Sequence, residues 1–476
     1  MAPSNSINRG PKAEETSLDT TLPANGMPIL KKPNAILLHA CRVGLRSLVL
    51  GYGLRAGVDL ALKLLSVIRK RMKLVDALRA SLFGEDAFRF ALVVGGFGFI
   101  WKLVDNTLRL VRGVDDKLNG FIAGSLAGLS LLAEKQDRRI MWGQQLAVRA
   151  GETIFNSLRL SKTFHFPFAS SLIFMLSSAS IMYAYVMQPH TIPKSYYSFI
   201  VSTGPIPEDV LGMVRQNVRG VAIDPLAFVN AATKYHGTSH AVEYAKSMTS
   251  LPPAIPCELF HPSRDSHVLH WGWVFQKVLK KILPVYLALN VVPLAVLRMR
   301  DFFKRPMELS QRSLTNAFRS SVFLATFVSG YQAIVCIQRE LIARNWLKSD
   351  SKYIYWWAGL LAASSVQIEH TGQRNNLAMY VLPRAMESLY TVLYQKKWMV
   401  QIKYFEVAMF SAAMGIILAY FQTEPDALGG IVNRILQRAN VWVEDKKRGR
   451  LIAPIRDAHG RLEFSPIVKT PIDEST

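Results

Sequence analysis

Two charge pairs of the same form stand in otherwise apolar stretches of this chain. Arg149 and Glu152 are three residues apart, and so are Arg384 and Glu387. On a helix that spacing puts both side chains on one face, within reach of each other. Charges inside membrane segments are costly and mark function by default. The pairs are therefore candidates to line a polar pathway or to hold a lipid headgroup; the alternative is a structural ion pair between helices. A further intramembrane pair, Arg55 and Asp59, is spaced by four.

Other chemistry is thinner. Pro256-Cys257-Glu258-Leu259-Phe260-His261-Pro262 is followed by His267 and His270. A thiolate and imidazoles can bind zinc. The spacing matches no standard finger, however, and no second cysteine stands nearby in sequence. The segment reads as an ordered loop held by prolines. No metal centre is expected, with Cys257 and His261 as weak candidates. The three cysteines, Cys41, Cys257 and Cys336, are too few and too scattered for a disulfide framework. The chain has no phosphate-binding loop of the Walker type, no G-x-S-x-G and no H-E-x-x-H. Neither an enzyme nor a cofactor is expected, and no residue is assigned as catalytic.

Gly120, Gly124 and Gly128 are spaced by four, which places them on one helix face. Such a face lets another backbone approach closely and supplies packing that lipid cannot. Gly53 and Gly57 on the first helix are the expected partner, and Gly359 with Ala363 is all that the second half keeps of the motif. The face suits packing within one chain, a homo-oligomer or a pore wall.

The elements that carry these residues occur twice. Ala87-Phe88-Arg89 matches Ala317-Phe318-Arg319. Beyond a loop that differs by five residues, Ala123-Gly124 matches Ala358-Gly359, Glu134 matches Glu369, Arg139 matches Arg374, and Arg149/Glu152 matches Arg384/Glu387, all at an offset of 235. The fifth helices continue at that offset, with Ile181 on Ile416 and Tyr185 on Tyr420. The Arg55/Asp59 pair has no counterpart, because Leu289 and Pro293 stand in those places. Internal repeats in apolar chains are common in membrane transporters.

Half of the 476 residues are hydrophobic and only 19% are charged, against about 25% in soluble domains. The mean hydropathy is +0.16. Charge-free runs occupy 118–133, 163–193, 282–297, 320–338, 353–368 and 407–423, most of them a little short of the roughly 20 residues a spanning helix needs. The net charge of +23 sits beside apolar runs, as at Arg69, Lys70, Arg71 and Lys73. That placement fits contact with anionic headgroups rather than nucleic acid.

The expected fold is all-α: a polytopic integral membrane protein of two repeated bundles of four to five helices. The segments are a disordered polar tail (1–33), a first membrane repeat (34–188), a polar linker with short helices (189–269), a second repeat (270–425) and a basic tail (426–476). The tail 1–33 has no apolar core for a secretory signal, and its acids argue against a matrix presequence. The last residues do not form a peroxisomal address, so targeting is expected to be internal. The fourth segment of each half decides the topology. Residues 377–394 are apolar apart from Arg384 and Glu387, which favours spanning, with five spans per half and the halves opposed. Four spans per half would make them parallel.

The run 116–124 (Asp-Lys-Leu-Asn-Gly-Phe-Ile-Ala-Gly) with Gly128-Leu129-Ser130 resembles the transmembrane protein 135 family. So do Glu134-Lys135 with Arg138-Arg139, Pro256-Cys257 with His261-Pro262, Arg319-Ser320-Ser321 with Phe323-Leu324, and 380–384 (Tyr-Val-Leu-Pro-Arg). The resemblance covers about residues 34–425. The glycine-rich third helix is also similar, over a short stretch, to the mitochondrial inner-membrane translocase and peroxisomal membrane protein superfamily. The resemblance implies a multi-span protein of mitochondria, peroxisomes or both, linked to lipid or metabolite movement and to organelle homeostasis. The alternative is a non-transporting scaffold that organises organelle dynamics or import machinery. Expected partners are a bilayer with anionic headgroups, a lipid or small-metabolite cargo, and a second copy of the chain. Animal members have a cysteine-rich N-terminal region, where this chain has only Cys41.

Overall fold

The computed structural model describes residues 20–21, 29–30, 32–68, 72–163, 166, 168–247, 252–297, 305–400, 402–430, 432–433, 435–436, 452–456 and 462–466. Most of the tail 1–33, the headgroup residues Arg69, Lys70 and Arg71, and most of 426–476 lie outside them.

The chain is built from helices. In the first half they are α1 (Pro33–Ile68), α2 (Leu74–Leu82), α3 (Glu85–Arg112), α4 (Lys117–Gly128), α5 (Gln136–Leu160) and α6 (Ala169–Met187). Five short helices follow: α7 (Lys194–Thr203), α8 (Glu208–Val218), α9 (Pro225–Lys234), α10 (Ser239–Ser247) and α11 (Cys257–Phe260). The long elements then return as α12 (His267–Leu297), α13 (Pro306–Ala343), α14 (Ile354–Ala362), α15 (Thr371–Gln395) and α16 (Phe405–Thr423). Two short antiparallel ladders, Thr20–Thr21 with Ile29–Leu30 and Ile452–Arg456 with Leu462–Pro466, complete the described residues.

Local sequence explains the boundaries. α3 ends at Gly113, whose φ of +68° is a left-handed C-cap that glycine takes without steric cost. Asp116 then caps α4 by accepting the Asn119 N–H at 3.1 Å. α4 tightens into a 3-10 turn at Leu129–Ala133, and α14 does the same at Ala363–Ile368. The glycine-spaced helix is therefore only 12 residues long before it changes pitch. α2, which separates α1 from α3, was not expected from the sequence.

By length and composition, five segments among the described residues could cross a membrane: Pro33–Ala61, Leu74–Arg112, Ala169–Met187, Pro306–Ala343 and Phe405–Thr423. α1 presents Leu45, Val49, Leu50, Leu54 and Val58 to the outside. Exposed apolar faces of this kind mark a protein that meets lipid or a partner. Five is fewer than the eight or ten spans expected, because α5 and α15 carry too many polar residues, α4 and α14 are too short, and α12 carries Lys277, Lys280 and Lys281.

The helices sort into two compact units that do not follow chain order. One contains Met1–His165 with Lys403–Thr476, the other Phe166–Ile402. The fifth helix of the first half, α6, packs against α14 and α15, while α16 packs against α4 and α5. In the first unit Trp101, Leu131, Phe410, Ile417 and Phe421 form the core. In the second, Val274, Val278 and Ile282 of α12 pack on Ala325 of α13, and Phe174 meets Phe323 edge-on at 5.7 Å.

Two pairs of helices match in length. α5 and α15 both have 25 residues and start 235 apart. α6 and α16 both have 19 but start 236 apart, because the preceding loop is one residue longer in the second half. Gln188 and Glu424 end them in the same backbone conformation, near φ −140° and ψ 60°. Counted from the helix starts, Ile181 falls level with Ile417 and Tyr185 with Phe421, all four buried. Ile416 and Tyr420, the matches read from sequence, are only partly buried.

Candidate functional site

The second unit holds a half-open cavity of about 570 Å³, within the size range of small-molecule sites, about 300–1,000 Å³. Its walls come from α6, α7, α12, α13 and α15 and are mostly aliphatic and aromatic, with Ile181, Phe199, Ile282, Phe323 and Phe327 among them. One corner is polar. Tyr196 of α7 and Tyr380 of α15 meet edge to face at 6.4 Å, and Arg384 lies one helical turn beyond Tyr380. Burial raises the Tyr196 phenol above its usual range, with Tyr380 adding to the shift, so it stays a neutral donor.

Arg384 gives this corner its charge. Its Nη1 donates to Glu387 Oε2 at 3.2 Å. Its Nε is buried with no hydrogen-bond partner. A guanidinium presents its donors as a planar fork that suits carboxylate and phosphate oxygens. The arrangement can hold an amphiphile: an acyl chain among the apolar walls, and an anionic end on the free edge of Arg384.

The matching pair sits in the first unit. Arg149 donates to Glu152 at 2.7 Å. Glu152 is the more enclosed acid, its side chain 4% exposed against 28% for Glu387. Each i, i+3 pair thus closes on itself, within its own unit.

Arg55 and Asp59 do not pair. Arg55 lies 3.9 Å from Asp86 of α3, and Asp59 takes Lys63 at 2.5 Å, one turn further along α1. Lys63 wins because it shares the same i, i+4 geometry with Asp59, while Asp86 draws Arg55 toward α3. Of the basic cluster after α1, Lys73 is described and exposed.

The glycine face packs closely, though not where expected. A Cβ on Gly120 would lie 2.8 Å from the Leu418 carbonyl oxygen, one on Gly124 2.5 Å from that of Met414, and one on Gly128 2.6 Å from Ser411 Cα. The partner is α16, which answers with Gly415. Gly53 and Gly57 face open space with nothing within 4 Å. α1 meets α3 through Gly44 and Gly51 instead. In the second unit Gly359 makes the corresponding contact with Ala179 and Met182 of α6.

A buried charge cluster was missed. Arg109 lies 3.0 Å from Asp105 and 3.2 Å from Asp115. Arg339 and Asp350 stand at the same places in the second half, at offsets of 230 and 235, the two offsets on either side of the five-residue loop difference. There Tyr355 bridges them, donating to Asp350 at 2.5 Å and lying 3.4 Å from Arg339. The position of Tyr355 is Gly120 in the first half, where Arg109 meets Asp115 directly. Reading the offsets for charged residues outside the apolar runs would have found this cluster.

Cys257 and His261 are brought together with His267, and Cys336 of α13 lies beside Cys257. No family model matches this chain, and no solved structure matches it.

Proposed function

We propose that the chain is an integral membrane protein that binds an anionic amphiphile, of the fatty-acid class, in the cavity of its second unit, as part of moving lipid across or along an organelle membrane. The observation that carries this reading is Arg384, a cation with a free, buried Nε at the polar corner of an apolar cavity. Burying an acyl chain there gains about 0.8 kcal/mol per CH₂. A carboxylate on Arg384 satisfies a donor that otherwise costs desolvation. The five apolar helices support the membrane setting. The resemblance described above supports a mitochondrial or peroxisomal one.

The same reading takes the chain as two copies of one helical module with exchanged fifth helices. Equal lengths of α5 and α15 and of α6 and α16 support it. So do the twin Arg109/Asp115 and Arg339/Asp350 clusters and the left-handed residues Lys162 and Lys397, 235 apart, after α5 and α15. Exchange makes each unit depend on both halves, so neither half should fold alone.

The test is binding of a fluorescent polyunsaturated fatty acid to the purified chain in detergent, with the matching fatty alcohol as control. Arg384→Gln should weaken the acid by about 10-fold or more, the worth of a charged hydrogen bond, and leave the alcohol unchanged. Equal affinity of wild type and variant for the acid, or no saturable binding, would sink the reading and leave the scaffold alternative.

A further inference from the structure

Three potential metal ligands meet where the central segment enters the second half. The thiol of Cys257 and ring nitrogens of His261 and His267 all lie within 4.8 Å of one another. Cys257 and His261 sit one turn apart on and after α11, and His267 opens α12. The sequence offers no second cysteine nearby, but the fold does. Cys336, on α13 and fully buried, comes within hydrogen-bonding reach of the Cys257 thiol. Both cysteines are free.

His261 is oriented as a ligand. Its Nδ1 lies 2.9 Å from the Arg264 carbonyl oxygen, so Nδ1 carries the proton and donates it. That leaves the Nε2 lone pair, which is buried and has no well-aligned hydrogen-bond partner. A backbone carbonyl on the far ring nitrogen is how metal-binding histidines are usually held. The residue is 4% exposed, so the lone pair cannot turn to bulk water. Behind it His270 stacks at 4.3 Å.

Arg339, buried and stacked over Phe260 at 3.7 Å, lies close to both cysteines. Zinc-ligand bonds of about 2.0–2.3 Å around a tetrahedral ion put donor atoms about 3.3–3.8 Å apart. The Cys257, His261 and His267 donors, all within 4.8 Å of one another, are roughly 1 Å from that spacing, and Cys336 adjoins Cys257 as the fourth.

We propose that Cys257, His261, His267 and Cys336 form a tetrahedral Cys₂His₂ site for zinc, tying the central segment to α12 and α13. Four protein ligands leave no open position, which makes the site structural rather than catalytic. It holds no residue of the cavity corner, so it stands or falls independently of lipid binding.

The experiment uses the full chain in detergent. Zinc loading followed by desalting should leave one zinc per chain. Cobalt in its place should give the strong visible bands of a tetrahedral ion with a thiolate-to-metal charge-transfer band. Cys336→Ser should weaken that band, and Cys257→Ser with Cys336→Ser should abolish it. His267→Ala, at the half-exposed rim, should lower zinc retention while the helical signal stays intact, which separates ligand loss from misfolding. Three outcomes would overturn the proposal: no metal bound by folded wild type, full zinc retained by His267→Ala and the double serine variant, or a Cys257–Cys336 disulfide in place of metal.

Discussion

Arg109 Nε lies 3.2 Å from Asp115 Oδ1 across the turn that joins α3 to α4. Both side chains are largely shielded from solvent, and Asp105 approaches the same guanidinium from one turn back on α3. One cation thus serves two acids, and the consequences of removing each member differ.

Arg109→Met leaves two buried carboxylates without their cation. A broken buried pair costs about 3–5 kcal/mol, and the melting temperature in detergent should fall accordingly. Asp115→Asn leaves the Arg109–Asp105 pair intact and should cost far less. The pH dependence has a definite sign. Burial raises the Asp115 carboxyl above its usual range in spite of Arg109. A raised carboxyl favours the folded state below the unfolded value near 3.8 and loses that contribution as pH rises through the folded value. The stability difference between wild type and Asp115→Asn should therefore shrink as pH rises above about 4. A difference that grows with pH would contradict the assignment, as would an Asp115→Asn cost equal to that of Arg109→Met.

The glycine face gives a steric prediction. A Cβ on Gly124 would sit 2.5 Å from the Met414 carbonyl oxygen, a backbone atom that cannot swing aside. Gly124→Leu should destabilise the chain by about 1–3 kcal/mol through overpacking, and Gly124→Ala should already be measurable. Gly53→Leu, on an open face, should melt as wild type does. If Gly53→Leu proved as costly as Gly124→Leu, the packing of α4 on α16 would be wrong.

How much of this was legible in the sequence depended on which element carried the signal. The apolar runs marked most of the long helices because that signal is local, while α2 went unread. Close contact at Gly124 was legible from glycine spacing alone. Its partner was not: Gly53 and Gly57 have the same spacing, and only the packing of α16 on α4 shows that Gly415 is the true neighbour. The pairing of Arg55 failed for a similar reason, since Asp86 on the neighbouring helix is invisible to an i, i+4 rule. Arg384 was found as a charge in an otherwise apolar stretch, but the cavity needed Tyr196 and Phe199 from the central segment, which composition marked only as a polar linker. Cys336 lies 79 residues from Cys257, so their proximity appears only in three dimensions.

The twin i, i+3 pairs should respond unequally. Glu152 is almost fully enclosed, and Glu387 is 28% exposed. Glu152→Gln should approach the cost of a broken buried pair, about 3–5 kcal/mol. Glu387→Gln should cost about 1 kcal/mol or less, since water screens a partly exposed pair. Thermal melting of the two variants in the same detergent decides this. Equal losses would mean that the two acids have the same environment.

The most direct measurement of the central claim is photo-crosslinking of the full chain in lipid vesicles with a photoreactive fatty acid, mapped by mass spectrometry. The account predicts labels on Phe199, Tyr286, Phe327 or Tyr380, residues spread over α7, α12, α13 and α15 that line one cavity. Excess unlabelled fatty acid should compete the labels away, and Arg384→Gln should reduce them. Labels confined to the exposed leucines of α1, undiminished by competitor and by Arg384→Gln, would show lipid bathing the surface rather than a bound ligand and would contradict it.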